Sequence, residues 1–163
     1  SIPMSLIDAK EARFIDERIH LVSLADGEEF EVMGHPAVCF DIHSTKARQS
    51  GYSLFYDEGR KLTCLGDEPY RECERQYAEG SDWLLHEAFC LWSDRELYRP
   101  YEKHHSTVRD ACEAAETLGV RNLLLYHTED NDLAHRKERY TEEGRRYFSG
   151  RLLVPDDLES FEL

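Results

Sequence analysis

Residues 61–70, Lys-Leu-Thr-Cys-Leu-Gly-Asp-Glu-Pro-Tyr, constrain this chain more than any other stretch. Leu62, Cys64 and Leu65 have the make-up of a short buried strand, Gly66 permits a sharp exit, and Pro69 stops the strand from continuing. Asp67 is thereby delivered at the carboxyl end of a strand, on a rigid turn. Metal ligands and catalytic groups of α/β proteins occupy such positions, although Gly-Asp after a strand equally serves a plain turn or a helix cap. What decides between these readings is the set of residues at the ends of the other strands.

Upstream of this stretch the pattern is one of closely spaced strands. Alternating apolar residues predict strands over 19–24, 28–33, 37–42 and 51–56, after a helical turn or two near 9–14. Asp26 with Gly27, Gly34 with Pro36, and Asp57 with Gly59 supply the turns between them. Residues 44–50 read as a polar, basic loop, and 61–66 returns from the last hairpin. Downstream the rhythm changes to strands alternating with helices. A helix is expected over 68–80, a strand over 83–88, an irregular aromatic segment over 90–101 and an amphipathic helix over 107–118. In the amphipathic helix Val108, Ala111, Cys112, Ala115 and Leu118 share one face, Thr107 with Asp110 forms a capping box, and Gly119 is the stop. A strand over 123–126, a charged helix over 136–147 and terminal strands over 152–154 and 160–163 complete the chain. The order predicts a mixed α/β (α+β) fold in which residues 1–163 form a single unit, with no repeat and no linker.

A chain of 163 residues with 40% hydrophobic residues can bury a sizeable core. No apolar run reaches the length of a membrane span and the start lacks a signal-peptide pattern, so a cytoplasmic protein with no membrane partner is expected. Ser1 in place of Met points to a processed chain or a piece of a longer one. The net charge of −14 repels polyanions and argues against non-specific nucleic-acid binding. The 5 cysteines include no C-x-x-C pair and read as reduced; Cys39, Cys64 and Cys112 lie in apolar patterns that suit small core residues.

Three predicted strands end in a group that can ligate a metal: His43, Asp67 and His127. Neutral imidazole and carboxylate oxygen both suit zinc or a similar divalent ion, and strand ends at one edge of a sheet converge however far apart they lie in sequence. A strand-end histidine is also a common hydrogen-bonded residue with no such role. Two further groups are harder to read as packing. The strand over 83–88 carries His86 and Glu87 at its end. His104-His105-Ser106-Thr107 opens the amphipathic helix, where free N–H groups favour a phosphate-like anion. An imidazole there, oriented by Glu87, can donate a proton to a leaving oxygen. The plainer alternative is capping by Ser106 or Thr107 with His105 in solvent.

These elements, in this order, resemble the metallo-β-lactamase superfamily: His43 followed by Gly51 and Tyr52, the Leu65-Gly66-Asp67 turn, His86-Glu87-Ala88, His105-Ser106-Thr107, and the strand ending at His127. The closest branch is the ribonuclease Z-like one, where HEAT and HST elements are characteristic, and the resemblance covers residues 28–163. It implies a four-layer αββα sandwich with two metal ions, usually zinc, with manganese or iron as alternatives. By motif, His43 would bind the first metal, Asp67 would bridge both and His127 would bind the second. A metal-bridging hydroxide would be the nucleophile, Glu87 and His105 the proton-donating pair, and Ser106 and Thr107 the holders of a phosphate oxygen.

Two departures shape what is expected. The superfamily's His-x-His-x-Asp-His signature is absent, so the chain resembles the second half of such a sandwich. The expected partner is therefore the N-terminal half of the same fold, on the same polypeptide or as a separate fragment. Without it the inner strands would expose an apolar face, and self-association into a homo-oligomer or aggregate is expected. Secondly, only residues 44–66 lie between His43 and Asp67, where ribonuclease Z carries a long arm for transfer RNA. A small phosphodiester, not a long nucleic acid, is the expected substrate of a metal-dependent hydrolase of this kind. The alternatives are a non-catalytic interaction domain that retains the fold, or hydrolysis of another ester, a lactone or an amide.

Overall fold

The computed structural model describes residue 18 and residues 20–162. Seven strands form one sheet in sequence order: β1 (Glu29–Val32), β2 (His35–Asp41), β3 (Ser50–Tyr56), β4 (Arg60–Cys64), β5 (Trp83–Glu87), β6 (Asn122–Tyr126) and β7 (Arg151–Leu153). β1 to β4 pair antiparallel as a meander; β4 to β7 pair parallel. Parallel pairing needs crossovers, and the helices supply them. A 3-10 turn (Glu72–Glu74) and α1 (Arg75–Ala78) join β4 to β5. α2 (Arg95–Tyr98) and α3 (Val108–Thr117) join β5 to β6, and α4 (Leu133–Gly144) joins β6 to β7.

The sheet has two unlike faces. Phe40, Leu84, Leu123 and Leu125 point to the helical side and bury against Ala111, Cys112 and Ala115 of α3 and Tyr140 of α4. On the other side Tyr56, Leu62 and Trp83 cluster with the partly buried Leu85, Leu124 and Leu153. No helical side chain belongs to this second cluster among the described residues. In its place the guanidinium groups of Arg60 and Arg151 lie over the rings of Tyr56 and Trp83, 4.7 and 5.3 Å from their centroids. Gly51 is required where β3 crosses β2: a Cβ there would strike the Phe40 ring and come within 2.6 Å of the Cys64 carbonyl oxygen.

The capping box at Thr107 and Asp110 starts α3 as its sequence predicts. Other expectations need correction. Residues 20–24 form no strand: no neighbouring strand pairs with them, and Leu21 and Val22 stay exposed. Residues 160–162 form none either. The helix expected over 68–80 shrinks to a 3-10 turn and one turn of α-helix, because Glu68 and Glu74 are buried rather than turned to solvent. α4 starts at Leu133, earlier than the expected 136, and ends at Gly144. The helical turn expected near 9–14 lies outside the described residues. The five cysteines are free, with only Cys73 exposed. No described helix is long and apolar enough to cross a membrane.

Candidate metal centre

Two reversals in the meander leave β2 running in the same direction as β4, β5 and β6. The residues just past their carboxyl ends, His43, Asp67, Ala88 and His127, therefore share one rim of the sheet. Each chain turns off sharply there. Gly66 has φ 79°, and His43 and His127 hold the left-handed conformation at φ 53° and 52°. For a residue with a Cβ that conformation costs about 1–2 kcal/mol, and such strain is concentrated at functional positions. The Tyr126 hydroxyl donates to the Gly66 carbonyl and so fastens the Asp67 turn to the end of β6.

Asp67, His105 and His127 come together, with one donor atom of each within 4.8 Å of the others. His127 Nε2 is 3.4 Å and His105 Nδ1 3.9 Å from Asp67 Oδ1. The two imidazole rings are 4.7 Å apart. Glu87 stands behind them, its Oε2 3.5 Å from His105 Nδ1 and its Oε1 accepting the Ser106 amide at 2.5 Å. Asp67 Oδ1, His105 Nδ1 and Glu87 Oε2 are buried without a hydrogen-bond partner. Orphan polar atoms are rare and each costs about 1–3 kcal/mol. Two carboxylate oxygens and an imidazole nitrogen left unpaired in one place, with His127 Nε2 beside them, make a donor set of the kind a divalent cation takes up, so these residues fit such an ion.

The electrostatics follow from burial. Burial pushes the Glu87 carboxyl up to about 7, against the opposing hydrogen bonds from Ser106. Burial also lowers the His105 pKa, as does the Lys46 ammonium, while Asp67 pulls it the other way. His86 is fully enclosed and lowered to about 4 by that burial. Its Nδ1 lies 2.6 Å from the Glu87 carbonyl oxygen and its Nε2 accepts the Tyr70 amide at 3.3 Å. It is a neutral, structural histidine that fixes the backbone on which Glu87 is carried.

His43 stands apart from the cluster. Asp41 accepts the His43 amide at 2.6 Å, and this tight turn leaves the ring largely in solvent, 3.9 Å from the same carboxylate. Ser106 and Thr107 also differ from the phosphate-holding role drawn from the resemblance. Both are buried. The Ser106 amide and hydroxyl are engaged with Glu87, and the Thr107 amide and hydroxyl both donate to Asp110, at 2.9 and 2.6 Å. The donors that the helix start was expected to offer an anion are satisfied by the chain's own carboxylates.

Three features lay beyond the reading of the sequence. Phe89 stacks on the His105 ring at 5.3 Å, where the HEAT-type element would have ended in Thr. The Lys46 ammonium lies 3.4 Å from His105 Nε2. The buried carboxylate of Glu68 accepts from the Ser44 hydroxyl and from Arg71 at 2.8 Å, and Arg71 donates to the His43 carbonyl at 2.6 Å. This network ties the loop after β2 to the segment after β4. Residues 44–50 signalled only a polar loop.

The fold and this rim of candidate ligands match a metallo-β-lactamase-type domain, and comparison with known proteins agrees. A family profile, the Beta-lactamase superfamily domain, matches residues 5–128. Ribonuclease Z of Bacillus thuringiensis (strain Al Hakam) is 32% identical over 104 residues, which are 64% of this chain and 33% of that one. Ribonuclease Z of Bacillus anthracis (strain A0248) matches to the same extent. The chain thus spans about a third of the length of the curated relatives it matches. Among solved structures, the metallo-beta-lactamase fold protein YhfI from Bacillus subtilis superposes with a TM-score of 0.71 at 15% identity, over 96% of this chain and 63% of that one. The short form of human tRNase Z gives 0.60 at 20% identity, over 82% and 45% of the two chains. Zn(2+)-bound PqqB from Methylobacterium extorquens gives 0.66 at 15%, over 87% and 55%. The chain belongs to the β-lactamase superfamily, on its ribonuclease Z-like branch.

Proposed function

We propose that this chain is the carboxyl-terminal part of a metal-dependent hydrolase acting on small phosphodiesters. The observation that carries the reading is the convergence of Asp67, His105 and His127 around buried polar atoms that lack partners, with Glu87 directly behind. Asp67 and His127 would hold divalent metal, zinc first and manganese or iron as alternatives, with a second ion and further ligands completed by an N-terminal half of the fold. Bound there, the metal supplies Lewis acidity and a water that ionises near neutral pH. His105 faces Glu87 through Nδ1, and its Nε2, beside the Lys46 ammonium, would give a proton to the leaving oxygen, with Glu87 as its proton-donating partner. The N-terminal half would also cover the apolar face around Leu62 and Trp83. The short loop between β2 and β3 leaves no room for a long arm, which favours a small substrate over a long RNA.

Hydrolysis of bis(p-nitrophenyl) phosphate by the full-length protein tests this directly. Asp67→Ala and His127→Ala should each cost at least ~100-fold in kcat together with bound metal; unchanged rates in both would end the proposal. The exposure of His43 favours a second reading, an interaction domain that keeps the fold without the chemistry. About two equivalents of zinc per full-length protein would exclude that second reading, and none after metal supplementation would establish it.

A further inference from the structure

The reacting end of this site carries a cation that no motif of the chain predicts. The net charge is −14, so a cation beside the site stands out against an acidic chain. Arg60, Arg75, Arg109 and Arg146 each pair with a carboxylate on their own helix or turn. Lys46 forms no salt bridge among the described residues. Its Nζ instead lies 3.4 Å from Nε2 of His105, the ring atom that faces away from Glu87 and Asp67. A second ammonium, that of Lys103, lies 4.6 Å from the centroid of Phe89, the ring stacked on His105. One positive group, Lys46, thus stands on the outer side of the imidazole, opposite the two carboxyl groups of Asp67 and Glu87 on its inner side.

The position of Lys46 is built, not incidental. The Ser44 hydroxyl accepts the Lys46 amide at 3.1 Å while donating to Glu68, which is buried and held by Arg71. Arg71 in turn grips the carbonyl of His43. The backbone leading into Lys46 is therefore clamped to the segment that carries Asp67. The Lys46 ammonium lies beside an imidazole with no carboxylate in salt-bridge contact, and an anionic oxygen within reach of both Lys46 and His105 would supply a partner of opposite charge.

We propose that Lys46 is a specificity-determining residue that recognises a negatively charged phosphoryl oxygen of the substrate on the leaving-group side of His105. This rests on the hydrolase reading above and narrows it: the site selects anionic phosphodiesters over neutral esters. Lys46 is the recognition group, and Ser106 and Thr107, whose donors are consumed internally, are not.

The test uses the full-length, metal-loaded protein and inorganic phosphate, titrated by calorimetry against wild type, Lys46→Ala, Lys46→Arg and Lys46→Glu. Lys46→Ala should weaken phosphate binding by at least ~10-fold and Lys46→Glu by more, while Lys46→Arg stays within ~3-fold, with metal content equal in all four. In parallel, kcat/KM of Lys46→Ala should fall at least ~10-fold further for bis(p-nitrophenyl) phosphate than for neutral p-nitrophenyl acetate. A wild type that binds no phosphate overturns the proposal, as does an unchanged phosphate Kd in Lys46→Ala or an equal loss on both esters. Phosphate binding that depends on Lys46 in a protein that hydrolyses neither ester would refute the hydrolase reading and leave the anion site standing.

Discussion

Glu74 gives a prediction whose size can be worked from the structure. It closes the 3-10 turn before α1, is 1% exposed, and leaves Oε2 without a hydrogen-bond partner. Burial raises its pKa from 4.5 to about 8, opposed by Arg71 and assisted by the charge of Glu68. Below pH 4.5 the group is neutral in both folded and unfolded chains and has no electrostatic cost. Between 4.5 and about 8 the unfolded chain ionises while the folded one holds its proton. Stability then falls by up to about 1.4 kcal/mol per pH unit, a ceiling of about 5 kcal/mol over the interval, and is flat beyond it. Relaxation and entering water reduce this, so about 2–3 kcal/mol is the expected loss. Glu74→Gln keeps the shape and removes the titration. Denaturant unfolding of the full-length protein from pH 5 to 9 should show wild type losing at least ~2 kcal/mol relative to Glu74→Gln by pH 8. Parallel profiles, or a difference that grows on acidification, would show that the carboxyl is hydrated and the burial argument wrong.

Two further outcomes follow from the site and the sheet. Glu87→Gln should lower kcat for the phosphodiester by ~10²–10³ while leaving bound metal unchanged; loss of metal along with rate would make Glu87 a ligand instead of the partner of His105. Residues 1–163 expressed alone should self-associate through the face around Leu62, Trp83 and Leu124, and sedimentation showing a monodisperse monomer at tens of micromolar would contradict this.

The sequence carried the elements whose signals are local. β2 to β6 are bounded by Gly, Pro and Asp, and α3 by the Thr107 cap and Gly119, so their positions could be read within a few residues. Where the reading failed, the deciding contact was distant. Residues 20–24 alternate as a strand would, but alternation cannot say whether a partner strand stands alongside. The break in the helix over 68–80 depends on Glu68 and Glu74 turning inward, Glu68 toward Ser44 in a loop 24 residues earlier. Charged residues ordinarily argue for a solvent face, so their inward turn left no mark in the sequence. At the site, Asp67 and His127 could be picked out because each follows an apolar strand. That His105 joins them rests on its stack with Phe89 and its approach to Glu87, and the exposure of His43 on the Asp41 turn. Lys46 had no signal at all, since its place is set by the clamp between Glu68 and Arg71.

The switch from meander to parallel pairing at β4 accounts for both the site and the uncovered face. Because β2, β4, β5 and β6 run one way, their ends meet at one rim; because α1, α3 and α4 pack on the Phe40 and Leu84 side, the opposite side is left to the sheet alone among the described residues. Arg60 and Arg151 shield Tyr56 and Trp83 there, contacts worth about 0.5–2 kcal/mol each. Burying the partly open Leu85, Leu124 and Leu153 under a second sheet is worth up to about 1.5–3 kcal/mol for each side chain. Part of that gain is already realised, and a covering layer that kept both guanidinium lids in place would add the rest of it to them. Glu87 and Tyr126 stand opposite each other at the end of this same sheet, next to the ligands. A layer laid over the leucines would therefore lie beside Glu87 as well and add to the burial that raises its pKa.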